Sequence, residues 1–327
     1  MLAGLAGWAG AATRPRYGGT LRVDVRNTGD SADPPQIGFG MADLNGNFAI
    51  AQWDAGQRAV YEASEAAPGG RPYLDRVVVQ LARPLREQSI DLELGKTDVA
   101  ELGPSELRRP AAGRKTWSSA PVRVLALVFG PGVSDARVRE ALSLAVDRGA
   151  IHRVLLQQQG EISGALLPQW LTGYAFLFPA TADIARAREL LAGMPAAARS
   201  LTLAADDAAL RPIAERIALN ARDAGLAVTV GSGDAAVRLA EFRIASADPA
   251  RALGVVAAAV GAGPPAHAAS PEALYAAEKA MLDGFRVVPL FHLPEVYGVS
   301  PKVKGGPGIS PLGEWRFENV WLEGGRP

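Results

Sequence analysis

Three side chains that could do chemistry stand close together in the segment Val287-Val288-Pro289-Leu290-Phe291-His292-Leu293-Pro294-Glu295-Val296-Tyr297-Gly298. His292 titrates near neutral pH, Glu295 accepts protons or hydrogen bonds, and Tyr297 combines a phenol with a broad apolar face. Such a trio could exchange protons or hold a polar ligand. Catalysis by His292 with Glu295 would also need a nucleophile, and the sequence nominates none. It has no cysteine, no G-x-S-x-G elbow, no Walker A loop and no H-E-x-x-H. Gly38-Phe39-Gly40 lacks the third glycine and following helix of a dinucleotide fingerprint. His152, His267 and His292 are isolated from one another. No pair of them has the spacing of a metal site on a helix face. A non-enzyme is therefore expected, with no catalytic residue, no resident metal and no cofactor; a metal could still arrive as a chelate.

Other candidates for binding lie apart from this trio. Trp170, Tyr174, Phe176 and Phe178 crowd into the loop 160–179 of a protein that is only 6% aromatic. Aromatic rings give large contact area with few rotors, which suits Trp170 and Tyr174 to a ligand surface, while Phe176 and Phe178 could equally form a small local core. Phe129 ends an apolar run. Asp248 precedes Pro249 and reads first as a helix N-cap.

These groups need elements to position them. The runs 21–25, 76–81 and 122–129 alternate or cluster apolar residues as strands do, and 48–53 with 59–62 reads as a hairpin across Asp54-Ala55-Gly56-Gln57. Helical spacing covers 84–94. Ser134-Asp135 and Asp147 are sound caps for two further helices, and 184–191, 249–260 and 271–282 are also helical. The succession strand 201–203, helix 210–224, strand 227–230 is a βαβ unit and implies parallel pairing, with a further strand at 242–244. The run 287–291 is the late strand that carries His292, Glu295 and Tyr297 at its end.

Bulk properties narrow the classes. At 327 residues the chain exceeds one compact core, so two domains are expected. The 34 basic and 34 acidic residues balance, which argues against nucleic acid or an anionic membrane surface as partner. Residues 1–16 read as a signal remnant or an Ala-rich tail, because Ala9-Gly10-Ala11 fits a cleavage pattern but no basic stretch precedes it.

Taken in order, several segments resemble the family 5 extracellular solute-binding proteins, the peptide- and nickel-binding subunits of ABC importers. Tyr17-Gly18-Gly19-Thr20-Leu21-Arg22-Val23 is similar to the family's first strand, and Ala32-Asp33-Pro34 to its next turn. Gly69-Gly70-Arg71-Pro72-Tyr73-Leu74-Asp75, Gly95-Lys96-Thr97-Asp98-Val99-Ala100 and Val288-Pro289-Leu290-Phe291 match further family motifs. The most specific match is Val138-Arg139-Glu140-Ala141-Leu142-Ser143-Leu144-Ala145-Val146-Asp147-Arg148.

The resemblance implies an α/β, two-lobed, periplasmic-binding-protein-like (type II) fold with mixed sheets and hinge strands, the small extra domain being missing. It places lobe 1 at 17–130 plus 288–327 and lobe 2 at 131–287. The crossing strands would bring Phe129, His292, Glu295 and Tyr297 to the floor of a cleft. Trp170, Tyr174 and Asp248 would add ligand contacts, although local packing and capping remain open for all seven. The implied function is capture of a peptide-like or small polar solute by hinge closure, and delivery to an ABC importer permease by a monomeric periplasmic or extracellular protein. The alternative is a reduced relative that acts as a sensor or interaction module without transport.

Overall fold

The computed structural model describes residues 14–26, 46–107, 113–174, 177–244, 246–262 and 270–324. Residues 1–13, the Ala32-Asp33-Pro34 turn, Gly38-Phe39-Gly40, Phe176 and His267 lie outside the described residues.

Strands β1 (Thr20–Asp24), β2 (Phe48–Asp54), β3 (Arg58–Ala63), β4 (Arg76–Gln80) and β5 (Val99–Glu101) come first, with helices α1 (Leu85–Glu93) and α2 (Pro104–Leu107) on either side of β5. The long β6 (Lys115–Phe129) leads into α3 (Ala136–Ala145), α4 (Arg148–Val154), β7 (Glu161–Ile162), α5 (Gln169–Thr172) and α6 (Ile184–Leu191). The expected βαβ unit follows as β8 (Ser200–Ala205), α7 (Arg211–Ala224) and β9 (Ala227–Gly231), with β8 and β9 parallel. Then come β10 (Val237–Arg243), α8 (Pro249–Ala259), α9 (Pro271–Leu282) and a second long strand, β11 (Val287–Val299). A small separate pair, β12 (Val303–Lys304) and β13 (Trp321–Leu322), closes the described chain. The helix starts follow the sequence: Asp135, Asp147 and Asp248 each accept a backbone N–H of the first turn they cap.

Eleven strands form one mixed sheet in the order β2-β3-β4-β1-β5-β11-β6-β10-β8-β9, with β7 also on β11. Its two central strands pair antiparallel along almost their whole length, from Val287↔Val128 to Val299↔Lys115. At one end β11 pairs with β5, and Trp117, Tyr297 and Val299 enter a core with Leu21, Val23 and Val79. At the other end β6 pairs with β10, and its alternate residues enter two cores on opposite faces of the sheet. Leu125, Leu127 and Phe129 pack beneath α3, α4, α6 and α7, while Val124 and Ala126 pack beneath α8 and α9.

Both central strands are longer than apolar patterning predicts. The run 115–121 is polar and ends in Pro121, and 292–299 is interrupted by Pro294, so neither displays a strand period. Pairing with each other holds them extended. Pro121 and Pro294 face each other, and the register slips on both sides of Pro294. Proline cannot donate to a ladder, so other groups supply the bonds at this crossing. Glu295 N donates to Ser119 Oγ (2.9 Å), Arg123 Nη2 to the Pro294 carbonyl (2.6 Å) and Ala120 N to the Pro311 carbonyl (2.9 Å). Arg243, at the end of β10, donates through Nε to Glu295 Oε1 (3.0 Å) and through Nη2 to the Leu312 carbonyl (2.8 Å). Gly313 makes this approach possible, because a Cβ there would lie 2.5 Å from Glu295 Oε2.

Removing one partner of a buried ion pair strands the other charge. Arg243→Ala is expected to lower unfolding stability by about 3 kcal/mol in urea titration, the low end of the usual range because a stranded carboxyl can take up a proton. The double variant Arg243→Met/Glu295→Leu is expected to recover most of that loss.

Candidate functional site

Three strands carry their C-terminal ends to one place, β1 and β5 from one side and β8, which runs the opposite way in the sheet, from the other. β1 leads to Arg26, β5 ends at Glu101, and β8 leads to Asp206 and Asp207. In open α/β sheets this is where ligands gather, since the chain leaves the sheet there and opens a crevice. A cleft of about 940 Å³ lies there. One wall comes from 82–86 and 101–107, the other from 154–157 and 206–213, and its floor includes Arg123, Glu241 and residues 293–297. Both walls are largely apolar, with Leu85, Leu102 and Leu107 opposite Val154, Leu210 and Ile213. Val154 is 62% exposed.

Charges that line the cleft are paired with one another. Arg26 Nε contacts Glu101 Oε2 at 2.8 Å and its Nη1 contacts Asp207 Oδ2 at 2.8 Å. Burial works against the Arg26 charge, but Glu101, Glu241 and Asp207 outweigh it and hold its pKa above the ordinary arginine value. Arg123 Nη1 contacts Glu241 Oε1 at 2.8 Å. Backbone strain sits in both walls: Ala82 (φ 55°) and Gln157 (φ 53°) are non-glycine residues in the left-handed region. Such outliers persist only where the surroundings over-determine them, and they concentrate at ligand clamps. Among the described residues, no group of three or more His, Cys, Asp or Glu side chains could hold a metal ion.

Of the seven residues nominated from sequence, Glu295 and Tyr297 line this cleft. Burial pushes the Glu295 carboxyl up to about 7, while Arg243 and Arg123 pull it the other way. The Tyr297 ring is 3% exposed and packs edge-on against Trp315, so it meets the cleft only at its margin.

The other five lie elsewhere. Phe129 is a core residue with Leu125 and Leu127, because the strand's period turns it beneath α3. His292 is buried, its Nε2 within 3.3 Å of Ser163 Oγ and of the Leu166 carbonyl. Trp170 is exposed and donates through Nε1 to the Pro121 carbonyl (3.0 Å), beside the crossing. The Tyr174 hydroxyl donates to Glu278 Oε2 (2.7 Å), which leaves the phenol occupied. Asp248 caps α8 through Oδ1. Sequence reasoning missed Arg26, Arg123, Glu101, Asp207 and Glu241. The available signal was positional: each of Arg26, Glu101 and Asp207 falls at, or just after, the C-terminal end of a recognisable strand.

Comparison with known proteins agrees with this geometry. Residues 17–280 match the model of "Bacterial extracellular solute-binding proteins, family 5 Middle". The chain belongs to that family. A search of curated proteins finds no match. Among solved structures the chain is similar to NikA from Staphylococcus aureus in complex with Ni(L-His)2, with TM-score 0.72 and 14% identity, covering 85% of this chain and 68% of that one. It is similar to a dipeptide-binding protein from Pseudoalteromonas sp. SM9913 in complex with Met-Leu, with TM-score 0.71 and 14% identity, covering 85% and 64%. It is also similar to DppA from Helicobacter pylori in complex with the peptide STSA, with TM-score 0.70 and 20% identity, covering 85% and 62%. The chain thus spans about two thirds of the length of these neighbours. Its fold is the α/β, two-lobed, periplasmic-binding-protein-like one. Among the described residues, no helix is long and apolar enough to cross a membrane.

His292 gives a test of its placement as a core group. Burial pushes its imidazole down to about 4, although the carbonyls of Leu166 and Ala165 favour the charged ring. The unfolded chain takes up that proton near 6.5, so between pH 6.5 and 4 the unfolded state binds more protons than the native one. Stability is expected to fall across that window by about 3 kcal/mol more in the wild type than in His292→Gln, measured by urea unfolding at each pH.

Proposed function

We propose that this protein captures a peptide-like or other small polar solute by closure of its two lobes and hands it to an ABC importer permease. The observation that carries this reading is the 940 Å³ cleft, whose walls come from both ends of the sheet and whose floor is the β6–β11 crossing. Clefts between lobes are preferred ligand sites, and closure over them is a standard hinge motion. Three family features support the ligand class: the neighbours hold a nickel–histidine complex, a dipeptide and a tetrapeptide. Apolar walls above a self-paired floor suit a ligand with apolar side groups and hydrogen-bonding main-chain atoms. The mechanism is binding without covalent chemistry, and the closed form is the one the permease meets. Family membership supports a periplasmic or extracellular location, and in this reading the protein acts as a monomer.

The lobe boundary belongs to this proposal as well. We keep two lobes built on 17–130 plus 288–327 and on 131–287, with residues 1–16 outside both. The Pro121–Pro294 contact supports placing the pivot inside the two long strands, since 122–129 pack with the second lobe's helices.

A thermal-shift screen of di- to pentapeptides and nickel chelates, with small-angle scattering of each hit, tests the reading. At least one ligand is expected to raise Tm and compact the protein. Val154→Arg, which puts a charge into the apolar wall, is expected to weaken that ligand at least about tenfold with Tm of the free protein unchanged. If no ligand stabilises or compacts the protein, solute capture is refuted. Binding without any association with a permease would favour the sensor alternative.

A further inference from the structure

We propose that Arg26 and Asp207 form a latch that holds the two lobes closed, an inference that rests on the hinge-closure reading above. Arg26 follows β1 on the first lobe, and Asp207 follows β8 on the second, 181 positions later. Their contact, Nη1 to Oδ2 at 2.8 Å, joins the two lobes within the lining of the cleft. Each partner is held for the purpose by its own lobe. Glu101 Oε2 grips the Arg26 side chain through Nε (2.8 Å) and the Arg26 backbone N–H (3.3 Å). Asp207 Oδ1 accepts the Ala209 N–H (2.7 Å) at the turn before α7, which leaves Oδ2 aimed at Arg26. A preformed donor and a preformed acceptor lose little rotamer freedom when they meet.

The crossing itself carries a different kind of tie. There Arg243 binds Glu295 and the Leu312 carbonyl with both ionic partners buried. Opening the cleft can proceed about that tie, at the point where Pro121 and Pro294 remove ladder hydrogen bonds. The Arg26–Asp207 contact joins the ends of β1 and β8, each two strands removed from the β11–β6 pair, so opening must break it. Its partners retain 25% and 42% side-chain exposure, so dissolved salt reaches the pair. A pair of this kind shifts an open–closed ratio by about two- to fivefold, enough to bias the lobes without locking them. Glu101 stays with Arg26 in the open form, so the cation is never left unpaired.

The chain has no cysteine, so paired spin labels report the lobe distance without background. Leu94→Cys and Leu219→Cys place labels at exposed sites on the first and second lobes. Asp207→Asn keeps the N-cap but loses the charge, and Asp207→Glu keeps the charge. In the full chain, Asp207→Asn is expected to raise the population with a label distance longer by more than about 2 Å at least about twofold. Raising NaCl from about 0.05 to about 0.5 M is expected to do the same to the wild type, and Asp207→Glu to keep the wild-type distribution. An Asp207→Asn distribution identical to wild type, in a protein whose labels still approach on adding Met-Leu or Ala-Ala-Ala, overturns the latch and leaves closure standing. Distances that ignore the variants, the salt and both peptides overturn closure, and the latch with it.

Discussion

Everything in this molecule depends on one ladder, the pairing of β6 with β11. Each strand belongs to both lobes, so the sheet that supports the first core is continuous with the sheet that supports the second and third. A sheet shared in this way fixes the lateral position of the lobes but tolerates bending where its hydrogen bonds are fewest. The sequence puts a proline in each strand at the same level, and side chains of Ser119, Arg123 and Arg243 make good the missing bonds. The crossing is thus held by directional polar contacts, whereas the regions on either side are held by buried apolar side chains. Cores resist deformation because they are close-packed, so bending concentrates where no core lies.

The same arrangement explains the chemistry of the cleft. Strand ends, unlike strand middles, are free to carry charge, and three of them meet at the cleft. Carboxylates and guanidinium groups placed there would pay a desolvation penalty if left alone. Pairing Arg26 with Glu101 and Asp207, and Arg123 with Glu241, offsets it. The walls are apolar where the edges of the packed core reach the cleft, as at Leu102, Leu210 and Ile213. A ligand therefore meets a floor whose charges are already paired and walls that favour contact over ion pairing.

Much of the fold was legible because local signals and tertiary structure agree. The caps at Asp135 and Asp147, the βαβ unit and the ordered family motifs all follow from short-range patterns. The crossing was less legible: a 15-residue strand containing Ser118, Ser119 and Pro121 has no period to detect, since its partner rather than its composition keeps it extended. The site was legible in part. His292, Glu295 and Tyr297 attract notice as chemical groups, but the bulges around Pro294 break the alternation that would tell which side chain faces where. Arg26, Glu101 and Asp207 are ordinary charged residues in sequence and become a group only when β1, β5 and β8 converge. Trp170 and Tyr174 show the opposite case, conspicuous in composition yet engaged with Pro121 and Glu278.

The position of β11 at the centre of the sheet has a consequence for how the chain folds. Its neighbours β5 and β6 are synthesised long before it, and neither can complete its pairing until residues 287–299 have emerged. The contacts that unite the molecule are among its most distant in sequence, and such contacts form slowly because the intervening loop must close first. The two halves of the sheet therefore cannot be joined through their central ladder before those residues are present. One late strand, placed between β5 and β6, is what makes a single body of two halves encoded far apart.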